Sequence, residues 1–147
     1  MTHSGTMQKP AVQLEIPGAE YWRRIPFAEH LGIHPLEITE ERAVLELRRK
    51  PELLNSWGGA HGGVIMTMLD VVMSMAVRGH YRENTGVMTI DMSVGFMNAG
   101  RSELVRAEGR VLHGGQTTAF CEGEARDEAG VLLAKAIGTF RRILDKK

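Results

Sequence analysis

The chemistry in this sequence starts from one carboxylate in unusual company. From Val64 to Val77 the chain reads VIMTMLDVVMSMAV, apolar except for Thr67, Asp70 and Ser74. If the stretch is helical, residues 63, 67, 70 and 74 share a face, because spacings of four, three and four each approximate whole turns. Asp70 then sits in a narrow stripe of small polar groups, Gly63, Thr67 and Ser74, on an otherwise apolar cylinder. Solvated helix faces are rich in Lys, Glu and Arg, and this one carries none before Arg78. An ordinary solvated stripe is the bland alternative. The composition favours a carboxylate that is buried or faces a cleft, with a raised pKa or a specific partner. Such a group serves as a general base or a nucleophile.

The second feature is the helix entrance, Gly58-Gly59-Ala60-His61-Gly62-Gly63. A helix N-terminus offers unpaired N–H groups and a partial positive charge, and glycine lets a ligand approach that backbone closely. This suits an oxyanion. A turn whose glycines meet only conformational needs accounts for the same residues, and the spacing matches neither a P-loop nor a dinucleotide fingerprint. His61 and Asp70 look like an acid/base pair. Yet a separation of nine positions places them about 13 Å apart along a helix and about 180° apart around it. If both act in one site, a second subunit must supply its Asp70 to the first subunit's His61, across a two-fold interface.

The elements that would position these groups follow from periodicity. Residues 1–19 show no sustained period and end in Pro17-Gly18, which predicts a loose N-terminal arm before a single domain over 20–147. Near-helical spacing from Glu20 to Leu31, interrupted by Pro26, predicts one or two short helical turns. Alternation from Leu36 to Arg48 predicts a strand with one wet face. The long helix should run to about Arg78, where Gly79 permits a stop. Four more strands are predicted over 87–97, 103–112, 116–126 and 131–142, with short links of the kind that join antiparallel neighbours. One helix that is apolar nearly all round, packed against a curved antiparallel sheet, is an α+β fold.

Composition narrows the function classes. Of 147 residues, 43% are apolar and 24% charged, enough to bury the core of one domain. Acidic and basic residues balance at 18 each, so no long-range field draws the chain to nucleic acid or to an anionic membrane. The Val64–Val77 stretch is shorter than the roughly 20 residues a membrane span needs. A single cysteine, Cys121, and an N-terminus without signal-peptide character point to a reducing, cytoplasmic setting. Cys121 reads as a core residue rather than a thiol nucleophile. His30 and His34 have metal-pair spacing, but Gly32 and Pro35 spoil the helix that would align them, so no metal and no cofactor is expected.

With Asn55-Ser-Trp-Gly-Gly-Ala-His61-Gly62-Gly63 followed by Asp70 in an apolar helix, the sequence resembles the PaaI-type acyl-CoA thioesterases of the hotdog superfamily. The likeness extends to Glu29-His-Leu-Gly-Ile33, Met88-Thr-Ile-Asp-Met-Ser-Val-Gly-Phe96 and His113-Gly-Gly-Gln-Thr-Thr118, spanning roughly residues 25–143. It implies a hotdog fold: one long central helix wrapped by a curved five-stranded antiparallel sheet, paired into homodimers and further into dimers of dimers. It also implies metal-free hydrolysis of an acyl-CoA, aromatic or of short to medium chain. Carried over, Asp70 is the nucleophile or general base, the Gly62 N–H stabilises the oxyanion, and Asn55 and His61 position the carbonyl, the water or the loop. Gly63, Thr67 and Thr89 would contact substrate or the attacking water. Where relatives continue from an aromatic residue into Leu-Arg-Pro, this chain has Phe96-Met97-Asn98-Ala99. Two rivals stand beside hydrolysis: hydration or dehydration of an acyl thioester on the same fold, and a non-catalytic acyl-CoA sensor. A desolvated carboxylate argues against the sensor, because an apolar pocket would be more stable without it.

Overall fold

The computed structural model describes residues 13–14, 25–82 and 86–144. Three strands precede the long helix: β1 (Gln13–Leu14) and, after helix α1 (Pro26–Leu31), β2 (Ile33–Ile38), with β3 (Ala43–Arg48) returning beside it. A 3₁₀ turn at Pro51–Leu53 leads to helix α2 (Gly62–Tyr81), followed by β4 (Gly86–Phe96), β5 (Leu104–Gly114), β6 (Thr118–Asp127) and β7 (Leu132–Ile143). The sheet order is β1-β2-β3-β5-β6-β7-β4, antiparallel except for the two-residue parallel pair of β1 with β2. Within the expected N-terminal arm, only this β1 register is described; the rest of that arm, and residues 20–24 of the expected first turns, lie outside the described residues.

The α+β arrangement is the expected one, with more strands in the sheet than five. The single strand predicted over 36–48 is a hairpin, β2 and β3. Its turn is closed by Thr39, whose Oγ1 accepts from the Glu41 and Arg42 N–H groups, so no glycine or asparagine announces it. The links also differ from expectation at one place: β4 does not neighbour β5 but pairs with β7 at the far edge, so residues 97–103 cross the end of the barrel-like sheet. Helix α2 passes through Gly79 and ends at Arg82, which takes φ +54° as the C-cap. Packing at the helix end outweighs the glycine: the Tyr81 hydroxyl donates to Gly115 O, the Arg142 guanidinium lies 4.4 Å over the Tyr81 ring, and His80 packs against Gly114.

Helix α2 is the core. Val64, Ile65, Met68, Leu69, Val72, Met73, Met75 and Val77 are buried against the concave face of the sheet, each contributing about 1.5–3 kcal/mol of apolar transfer. Three inward positions on neighbouring strands are glycines. A Cβ on Gly109 would lie 2.9 Å from Val72 O, one on Gly123 3.2 Å from Met73 Cγ, and one on Gly138 3.2 Å from Met73 Cε. Gly109 and Gly123 are register partners. The sheet backbone thus closes onto the helix along a trough into which Met73 projects.

Candidate active site

Asp70 lies in the third turn of α2, half-buried, on the side where β4 ends the sheet. Its Oδ1 accepts a 2.6 Å hydrogen bond from the Thr89 hydroxyl on β4. The specific partner expected from the polar stripe is therefore a threonine 19 positions away on another element. The β4–β7 register shifts between Thr89 and Asp91, a bulge of the kind that re-aims a side chain beside a functional group. The other stripe members are tied to the helix itself: Thr67 Oγ1 donates to Gly63 O at 2.8 Å, and Ser74 Oγ to Val71 O at 2.8 Å.

The helix start is held by two side chains that accept from backbone N–H groups. Asn55 Oδ1 accepts from the N–H groups of Trp57 (2.9 Å) and Gly59 (3.1 Å), and Asn55 N–H donates to Gly59 O at 2.8 Å. Asn55 therefore closes the loop that presents the helix. Gly58 sits in that loop at φ +78°, a left-handed conformation that suits glycine. His61 is the N-cap, its Nδ1 accepting from Gly63 N–H at 2.9 Å, which leaves the ring proton on Nε2. Its backbone N–H donates to Leu53 O at 2.8 Å. Among the described residues no acceptor takes the Gly62 N–H. That donor opens toward a cleft of about 320 Å³ bounded by Asn55, Ile65, Phe96, Met97, Asn98 and Gly100.

The cleft's far wall was not read from the sequence as part of a site. Phe96 ends β4, and a Cβ on Gly62 would lie 3.5 Å from its ring. Asn98 turns its side chain away, donating from Nδ2 to Leu132 O at 2.8 Å. His61 and Gly62, at the first turn, and Asp70 with Thr89, in the third, are not brought together within the chain; the helix separates them as its geometry requires. Both groups nevertheless border the same strand, β4, near its two ends.

Other candidates resolve into structure. Cys121 is buried in the core, and burial pushes its thiol up to about 12, so it is inert at neutral pH. His30 closes α1, and His34 on β2 lies with Nε2 3.7 Å from Glu46. A depression of similar size on the outer sheet face is lined by charges that pair with each other, Arg106 with Glu46 and Arg126 with Glu124. Helix α2 is long and apolar enough to cross a membrane, and most of it is buried inside the sheet.

Residues 58–134 match the family model described as Thioesterase superfamily. The medium/long-chain acyl-CoA thioesterase YigI of Escherichia coli is 27% identical over 142 residues, covering 86% of this chain and 92% of its own. Among solved structures, a conserved protein of Pseudomonas aeruginosa is 28% identical with a TM-score of 0.76, covering 80% of this chain and 93% of that one. The E. coli PaaI protein, from the phenylacetic acid degradation operon, has a TM-score of 0.80 at 21% identity, covering 88% and 93%. That last likeness is one of fold, the hotdog arrangement of a long helix in a curved antiparallel sheet.

Proposed function

The chain belongs to the thioesterase superfamily and is a thioester hydrolase, and we propose that it hydrolyses acyl-CoA, aromatic or of short to medium chain, at a site shared between two subunits. The observation that carries this reading is the Thr89–Asp70 hydrogen bond at one end of β4, set against an unclaimed Gly62 N–H at the other.

Strand β4 is a sheet edge, and Met88, Ile90, Phe96 and Met97 along it are each about half exposed. An unpaired edge with apolar residues is a template for another strand. Antiparallel pairing of β4 with β4 of a second copy about a two-fold axis between Met92 and Ser93 sets position 89 opposite position 96. Asp70 of one subunit then faces Gly62 and His61 of the other, which the helix forbids within one chain. Two such sites form per dimer, and pairing of dimers is the further expectation.

In each site the thioester oxygen accepts from Gly62 N–H. Asp70 either attacks the carbonyl carbon or takes a proton from the water that does, while Thr89 holds the carboxylate in place. The tetrahedral oxyanion is stabilised at the helix N-terminus, the C–S bond breaks, and CoA leaves as the thiolate; on the water route the protonated Asp70 returns its proton to the thiolate, and on the direct route water hydrolyses the acyl–Asp70 anhydride, releasing the free acid and the proton the thiolate takes. Asn55 and His61 hold the loop and the first turn that present the donor. Gly63 and Thr67 line the approach, no metal or cofactor takes part, and the free Cys121 fits a cytoplasmic location.

The test is thiol release from a panel of aromatic and aliphatic acyl-CoAs by wild type and Asp70→Asn. Turnover should fall by at least about 10²-fold in the mutant with fold and assembly kept. A mutant within a few-fold of wild type removes Asp70 from the mechanism. Binding without turnover for every acyl-CoA would make the protein a sensor, and an altered acyl chain without free thiol would make it a hydratase.

A further inference from the structure

The cleft beside Gly62 has walls of unequal firmness. On one side the backbone is fixed: Ala60 N–H donates to Gly100 O at 2.9 Å, Met97 N–H to Leu133 O at 2.8 Å, and the Asn98 side chain is spent on Leu132 O. Gly100 is crowded, since a Cβ there would lie 3.2 Å from Leu133 Cδ1 and would require that side chain to shift. On the other side stands Phe96, 51% exposed, with its ring in van der Waals range of the Gly62 position. An oxygen bound at the Gly62 N–H carries its carbonyl carbon, and the carbon next to it, against this ring. A methylene group fits such a slot and a branched or aryl carbon collides with it.

We propose that Phe96 is the specificity-determining residue of this hydrolase, its ring admitting acyl groups whose carbon next to the thioester carbonyl is a methylene and excluding those in which that carbon is branched or is itself part of an aryl ring. The inference rests on the acyl-CoA reading above and deepens it. It separates two aromatic substrates that share a ring: phenylacetyl-CoA, with its intervening methylene, is accepted, and benzoyl-CoA is rejected.

Wild type, Phe96→Leu and Phe96→Ala would be compared on hexanoyl-CoA and phenylacetyl-CoA against isobutyryl-CoA and benzoyl-CoA. Wild type should favour the first pair in kcat/KM by about tenfold or more, the discrimination a few carbon atoms afford. Phe96→Ala should erase that preference, chiefly by improving the second pair, with Phe96→Leu between them. Phe96 is half exposed in the single chain, so its truncation leaves the core intact; a thermal melt checks the fold and sedimentation checks that β4 pairing is kept. A ratio unchanged within twofold in Phe96→Ala, or wild type preferring benzoyl-CoA, overturns the assignment while leaving the enzyme a thioesterase. Absence of hydrolysis by wild type on all four overturns the acyl-CoA reading itself.

Discussion

At the start of α2 the proposed working group is a backbone N–H, and the backbone around it is tied by local bonds: a loop closed on the Asn55 side chain, an N-cap from the His61 ring, Ala60 N–H bonded to Gly100 O. In the third turn the proposed working group is a side chain, Asp70, held by one other side chain on the edge strand β4. The first region is complete in the single chain. In the proposed dimer a neighbour dries the second and sets a substrate before it. Where the transition state demands a fixed dipole, rigid backbone supplies it without reorganisation. Where a proton or a bond must move, the proposal assigns the work to a half-buried carboxylate whose surroundings the second subunit completes.

That contrast can be broken most sharply at Gly62. Gly62→Pro deletes the donor but suits the first helical position, and the added carbons would meet Phe96 at ordinary contact distance. Turnover should fall by about 10²–10³ with melting temperature kept; a drop of only a few-fold would take the N–H out of the chemistry. Mixing unfolded Gly62→Pro and Asp70→Asn chains and refolding them together tests whether the halves come from different subunits. Random reassortment should restore about a quarter of wild-type turnover, since each mixed dimer then carries one intact site; no recovery would place both halves in one chain. Thr89→Val removes the only described hydrogen bond to Asp70 and should cost about tenfold in kcat, with Thr89→Ser restoring it. The smallest effect is expected at the cap. His61→Ala should lose about 1 kcal/mol of stability in urea titration and His61→Asn should recover it, as any good acceptor for Gly63 N–H would. A stability unmoved by either change would mean the cap is made some other way.

The Asp70 stripe was legible because its composition conflicts with an ordinary wet face, and the helix start because glycines cluster there before an apolar run. The geometric conflict between His61 and Asp70 could also be read from a helical wheel. Thr89 could not be tied to Asp70 from spacing, since only topology brings β4 over the third turn. Nor could the edge position of β4 be read: alternation looks the same on an edge as in the middle, and the link after Phe96 is short enough to suggest a neighbour. The merged β2–β3 hairpin was hidden because Thr39 makes its turn with a hydroxyl. Gly79 misled because its breaker tendency is weak beside the packing of His80 and Tyr81 on Gly114 and Gly115. Phe96 was seen as a point of resemblance, but its place against Gly62 depends on a crossing that no local pattern reports.

The trough of Gly109, Gly123 and Gly138 acts as a gauge for the whole enzyme. Because the Val72 carbonyl stands where a Gly109 β-carbon would be and the Met73 side chain crowds those of Gly123 and Gly138, the close fit at the trough favours one register of the helix on the sheet. A slip of one residue would move it by about 1.5 Å and turn it by about 100°, which would carry Asp70 away from Thr89 altogether. The aim of the carboxylate is thus calibrated by atoms that three strands leave out, at positions far from any substrate. Substitutions in the trough should therefore register first as lost catalytic alignment, before the fold itself gives way.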